Sequence, residues 1–365
     1  MRIPLGALIG LIALAWSGPA VAQESRPAFA DFLAGVRAEA LSRGIRPEIL
    51  DEALSNIAEP LPVVIERDRS QAETVLSLEK YLSRLVTPRL VTRGRTAYAS
   101  QAALLEEVGA RYGVPPTILA AIWGIESNFG GFSGVRPTIA ALATLAWDGR
   151  RAALFRSELF AALEILDRGD IELARLRGSW AGAMGQVQFM PTSYLKFAQD
   201  FDGDGRRDIW GSPGDVFASI GNYLQGNGWT AGESWGREVM VPPAAAGRIA
   251  SGVARRAGTC QATRDMTVPI PAADWQRLGV RLPGGSALPG DGADASLVSG
   301  TTRHFLVFRN YDALLAYNCS HSYAVSVGLL AAQISKPPVP ASAPRSKAPA
   351  RQKKVEGKRQ KAKNK

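Results

Sequence analysis

The chain has 365 residues, 46% of them apolar and 21% charged, with a formal net charge of +10. That composition excludes a wholly disordered or fibrous chain and leaves room for a large core in one or two domains. The charge excess is local: eleven of the 43 Lys and Arg and one of the 33 Asp and Glu lie from Lys336 onward, which leaves 32 of each sign elsewhere.

At the start, Arg2 precedes the apolar run "LGALIGLIALAW", and small residues at Ala20 and Ala22 stand before Gln23. Residues 1–22 read as a secretory signal, too short and wrongly flanked for a membrane span; the alternative is a retained anchor helix. No cysteine near the cleavage point could carry a lipid. The expected mature chain is exported to the periplasm as a soluble monomer, which makes nucleic acid a poor partner.

From Ala28 to Ala58 the pattern is helical, with Phe32, Leu33, Val36 and Ala40 on one face and Gly44 as a stop. "QAALLEEVGARYG" predicts a helix ending at Gly113. "VPPTILAAIWGIES" opens a second with prolines in its first turn, where the missing N–H costs little. "RRAALFRSELFAALEILDRG", "PTSYLKFAQDF" and "DVFASIGNYLQGNGW" read as further helices. From about 238 to 302 short β-branched runs, "REVMVP" and "MTVPI", suggest a small strand-bearing insertion. "DALLAYNCSHSYAVSVGLLAAQIS" closes the folded region with a helical segment. The expected fold is mainly α (α+β), over residues 23–335. The tail from 336 to 365, rich in Pro, Ala and Lys, has almost nothing to bury and reads as disordered. It either serves solubility or contacts an anionic wall or membrane surface.

Two cysteines, Cys260 and Cys319, in an exported chain suggest one disulfide, with two buried thiols as the alternative. The chain's two histidines, His304 and His321, show no zinc-type spacing with them.

The chemistry-bearing stretch is "AAIWGIESNFG". Glu126 sits among Leu119, Ile122, Trp123 and Ile125, so its carboxyl should lose hydration and its pKa should rise, as a general acid at neutral pH requires. Taken alone, an exposed Glu on the polar edge of a helix is the simpler reading. Further on, Gly178, Gly182 and Gly185 permit close approach of backbone to a ligand. Gln186 and Gln188, beside Phe189 and Met190, suit sugars, which offer hydroxyl edges and apolar faces.

"IWGIESNFG", "GSWAGAMGQVQFMPTSY" and "DFDGDGRRDIWGSPGDVFASIGNYLQGNGW" together resemble the B-type lytic murein transglycosylases, exported bacterial enzymes with a lysozyme-like helical core. The resemblance runs from about Phe32 to Ile334 and is strongest from Tyr112 to Trp229. It implies that Glu126 is a lone acid/base acting on the β-1,4 bond between N-acetylmuramic acid and N-acetylglucosamine, leaving 1,6-anhydromuramoyl ends on peptidoglycan strands. The Glu126 segment holds no companion carboxylate, whereas ordinary glycosidases use two; Asp148 is not expected to act as a nucleophile. The resemblance also implies substrate contacts at Ser179, Gln188, Arg150, Arg151, Tyr223, Tyr317, Asn318, Tyr323 and Tyr81. Leu154 departs from it, standing where an aromatic is often found. A hydrolytic muramidase and a non-catalytic wall-binding scaffold are the alternatives.

"DFDGDGRRD" opens like a calcium-binding loop: Asp200, Asp202 and Asp204 alternate before Gly205, and the carbonyl of Arg206 would follow. Gly211 occupies the place of the usual bidentate Glu, so Asp215 is the candidate replacement. Any calcium would be structural, and no cofactor is expected for the chemistry.

Overall fold

The computed structural model describes residues 26–70, 76–290 and 293–336. The signal-like segment and all but the first residue of the basic tail lie outside them. Helices dominate, with two small antiparallel sheets.

The chain opens with Phe29–Ser42 and Pro47–Leu54, divided at Gly44, whose φ of 87° suits a residue without a Cβ. Pro62–Ser70, Leu78–Leu85 and Pro88–Ser100 follow; the periodicity reading had passed over these three. They are only sparsely buried, so their apolar stripes are narrow.

At the centre runs Pro116–Ser127, preceded by Ala102–Tyr112. Ile118 to Gly124 and Ser127 of the central helix are all buried. A helix apolar on every side has to lie inside a bundle, and this one is surrounded by Ala102–Tyr112, Pro88–Ser100, Pro213–Gly226 and His321–Ile334. Thr138–Asp148, also buried almost throughout, packs along Ala152–Asp167. Pro191–Phe197 bridges that pair to Pro213–Gly226.

Residues 236–307 carry a four-stranded antiparallel sheet in the order Gly236–Val239, His304–Val307, Asp294–Ser299, Ile270–Pro271. Leu306 faces both Arg237 and Leu297 in the register. The two inner strands were not read from the sequence; "ASLVS" and "HFLV" are too short to separate from loop by periodicity alone. Val239, Ile249, Trp275, Val280, Leu297 and Leu306 form a separate small core there.

The closing segment is two helices, not one: Asn310–Tyr317 and His321–Ile334. Asn318 and Ser320 are extended between them, and the Ser320 hydroxyl caps the second helix by accepting the Tyr323 N–H at 3.4 Å. Cys319 lies in this break and is bonded to Cys260, with Cα atoms 5.8 Å apart.

Candidate active site

Glu126 is in the last turn of the central helix. The chain then makes three consecutive left-handed residues, Asn128 (φ 52°), Phe129 (φ 57°) and Gly130 (φ 74°). A left-handed Phe costs about 1–2 kcal/mol, so packing must hold it. The Phe129 ring folds back beneath the helix and meets Trp123 edge-on at 5.5 Å. It lies so close to Gly124 that a Cβ there would stand 2.3 Å from the ring. The Ser127 hydroxyl donates to the Trp123 carbonyl at 2.8 Å and accepts the Gly130 N–H at 3.0 Å. The glycines around Glu126 therefore let the helix end abruptly, with its terminal carboxyl turned into a wall of side chains.

Burial pushes the Glu126 carboxyl up to about 7, and the Tyr323 hydroxyl opposes this only partly. The negative end of the helix dipole acts in the same direction as burial. No Asp, Glu, Lys or Arg among the described residues acts on it. Instead it faces tyrosines. Tyr317 and Tyr323 stack at 6.1 Å, and Tyr317 meets Tyr223 at 4.7 Å and Phe189 at 5.8 Å. Burial first, and the Glu126 charge second, hold Tyr81, Tyr317 and Tyr323 above the ordinary phenol range. These hydroxyls stay neutral donors whenever Glu126 ionises.

The loop from Gly178 to Met190 supports this wall. Tyr317 donates its hydroxyl to the Val187 carbonyl at 2.7 Å, and Tyr223 donates to the Ala316 carbonyl at 2.7 Å. Ser179 Oγ accepts the N–H groups of Ala181 and Ala183 at 3.2 and 3.1 Å, which shapes the turn. Gln188 adopts φ 51°, and its amide N–H donates to the Gly185 carbonyl at 2.8 Å. Asn318 is exposed in the break between the two last helices.

Gln186 was grouped with Gln188 as a sugar ligand, yet both ends of its amide are spent inside the protein, on Trp123 and on the Trp210 carbonyl. Residues two apart in extended chain share a side, but the left-handed turn at Gln188 breaks that rule. Arg150 and Arg151 share one buried partner, Asp68, with Arg150 Nε 2.8 Å from it. Their side chains as a whole remain 48% and 39% exposed. Asp68, in "ERDRS", carried no sequence signal. Asp148 is committed to Arg26 and Arg69, at 2.9 and 3.1 Å. Leu154 is 49% exposed, an apolar surface side chain without an aromatic face.

Asp200, Asp202 and Asp204 are exposed and offer oxygens that all lie within 4.8 Å of one another, a spread that a cation with ligands at 2.3–2.6 Å can span. Asp200 accepts the N–H of Gly203 and of Gly205, which folds the loop around the trio. Arg206 adds its N–H to Asp204 at 2.8 Å. Asp215 does not join them. It is fully buried, and its two oxygens accept the N–H groups of Phe201 and Asp208, each at 2.7 Å. The carboxylate expected in place of the usual Glu is thus a pin beneath the loop.

The chain matches the Transglycosylase SLT domain family over residues 28–332. It is 37% identical over 155 residues to membrane-bound lytic murein transglycosylase B of Escherichia coli K12, a match covering 42% of this chain and 43% of that protein. The matched stretch thus spans less than half the length of that curated relative. SltB3 from Pseudomonas aeruginosa, solved in complex with NAG-NAM-pentapeptide, is 42% identical, with a TM-score of 0.75 over 84% of this chain and 79% of that one. The Escherichia coli transglycosylase SLT35, solved with calcium, is 27% identical, with a TM-score of 0.68 over 83% and 92%. With nearly the whole described region matched, the chain belongs to the Transglycosylase SLT domain family.

Proposed function

We propose that the protein is a peptidoglycan lytic transglycosylase acting in the periplasm, with Glu126 as its single acid/base. The observation that carries this reading is the carboxyl itself: pushed up to about 7, walled by tyrosines, and without a second carboxylate acting on it. A group protonated near neutral pH can donate to the glycosidic oxygen as the bond to N-acetylmuramic acid breaks. The same oxygen atoms, now ionised, can take the proton from the muramoyl C6 hydroxyl as it attacks the anomeric carbon. Hydrolysis with a protein nucleophile or base would need a second carboxylate roughly 5 to 9.5 Å away, and Asp148 is tied to two arginines. The substrate's acetamido group serves the positive anomeric centre instead. The aromatic wall of Phe189, Tyr223, Tyr317 and Tyr323 suits the apolar faces of the sugars. Ser179, Gln188, Tyr81 and Asn318 are the further substrate contacts of this reading, and the exposed side chains of Arg150 and Arg151 suit lactyl or peptide carboxylates.

Digestion of purified sacculi followed by mass spectrometry tests the reading. Muropeptides ending in 1,6-anhydro sugars, one water lighter than reducing ends, are the expected product. Reducing ends alone would make the protein a muramidase; no product at all would leave the scaffold reading.

The aspartate loop is proposed as a structural calcium site held by Asp200, Asp202, Asp204 and the Arg206 carbonyl. Calcium at a hundredfold excess over its Kd should stabilise the fold by about 2.7 kcal/mol, read as a higher unfolding temperature than in chelator. Asp202→Asn should shrink that calcium-dependent difference. An identical unfolding temperature with calcium and with chelator sinks the site.

A further inference from the structure

The side chain of Gln186 joins three segments on which the proposed chemistry depends. Its Oε1 accepts the Trp123 indole N–H at 2.7 Å, and its Nε2 donates to the Trp210 carbonyl at 2.8 Å. Its backbone N–H donates to the Ile209 carbonyl at 2.9 Å. Beyond Trp210 the connection continues: the Trp210 N–H goes to Asp208 at 2.9 Å, and the Asp208 N–H goes to buried Asp215 at 2.7 Å. On the other side, Trp123 stands one turn before Glu126, and side chains three apart are neighbours on a helix. Gly130, in the left-handed turn, lies so close that a Cβ would be 2.6 Å from Gln186 Oε1. One amide therefore touches the end of the central helix and the turn that follows it, and anchors both to the base of the aspartate loop.

We infer that Gln186 is a positioning residue: it sets the angle of the last helical turn, and so the placement of the Glu126 carboxyl against Tyr317 and Tyr323, without reaching substrate itself. The inference rests on the proposed role of Glu126. The side chain at this place must accept at one end and donate at the other, which an amide does and an apolar or acidic chain of the same length does not. Trp123 is also packed edge-on against Phe129 and Phe217, at 5.5 and 5.1 Å, so losing the amide leaves the ring in the core. What is lost is the fixed direction, and the left-handed residues 128–130 offer a strained turn that can relax.

The test uses Gln186→Met, which keeps the length without the hydrogen bonds, with Trp123→Phe and the double variant. Steady-state kcat and KM, the pH profile and the unfolding temperature are measured on each. Gln186→Met should lower kcat roughly 10- to 100-fold, since small misplacements of a catalytic group cost that much, while KM moves less than about threefold. The alkaline limb of the profile should move from about 7 toward 4.5, the ordinary glutamate value, as water reaches the carboxyl. The groups acting on Glu126 are Tyr81, Tyr317 and Tyr323, all neutral across that window, so they do not mask the shift. Trp123→Phe should give the same signature, and the double variant should be no worse than the poorer single one, as partners in one interaction behave. Wild-type kcat with an unmoved limb, or losses that simply add, would overturn the inference, as would a loss matched by the fraction unfolded at the assay temperature. A parent protein that yields no anhydro ends would overturn the functional reading instead. In that event the carboxyl titration of Glu126 by NMR, in the parent and in Gln186→Met, still decides the positioning role.

Discussion

Glu126→Gln is expected to remove turnover and to stabilise the protein at alkaline pH. General acid–base groups contribute about 10²- to 10⁴-fold, and one residue here is assigned both proton transfers, so the loss of kcat should reach the top of that range. The stability effect follows from the same burial. Between the ordinary value of 4.5 and about 7, the folded carboxyl keeps a proton that the unfolded one releases. Stability therefore falls as pH rises across that window, and levels off above about 7. At pH 8 the charged carboxyl costs up to about 3 kcal/mol, which the neutral amide does not. The variant should thus unfold at a higher temperature than the parent at pH 8, and at nearly the same temperature near pH 4. The parent's own activity should decline as pH rises through about 7, because the protonated form is the competent one. An inactive variant with an unchanged pH dependence of stability would place the carboxyl in open water and contradict the geometry.

Replacing both Cys260 and Cys319 by Ser is expected to destabilise the fold by about 4 kcal/mol, the chain-entropy cost of closing a loop with a sequence separation of 59. The bond should matter for activity as well. Cys319 sits between Tyr317, whose hydroxyl binds the Val187 carbonyl, and Tyr323, whose ring stacks on it at 6.1 Å. Freed from Cys260, the two helix ends that carry these rings lose a common anchor, and KM for glycan strands should rise. Thermal unfolding with and without reductant, alongside KM of the double variant, checks both effects. A midpoint insensitive to reductant would mean that the surrounding packing alone holds the break between the helices.

Much of this molecule is legible in its sequence, and the reasons are local. Gly44, Gly113 and Gly169 ended helices because a left-handed residue follows there, with φ of 87°, 66° and 76°. Prolines in the first turn of Pro116–Ser127 marked where that helix begins. The raised pKa of Glu126 was foreseeable from its apolar neighbours at helical spacing. The strands Asp294–Ser299 and His304–Val307 were not, because six and four residues are too few for a period to emerge. Nor was the break at Asn318–Ser320, whose short polar stretch stands between two apolar runs that read together as one helical segment.

By itself, then, the sequence determined the helical class, the ends of the strongest helices and the apolar surroundings that raise the Glu126 pKa, since each of these depends on residues within a few positions of one another. Tertiary structure decided the partners. Asp68 meets Arg150 and Arg151 from some eighty residues away, Asp215 turns both oxygens to backbone N–H groups, and Gln186 serves Trp123 across 63 positions. Hydrogen bonds and ion pairs are short-ranged and directional. Which groups come within reach of them is settled only when the helices have packed and the distant segments stand face to face.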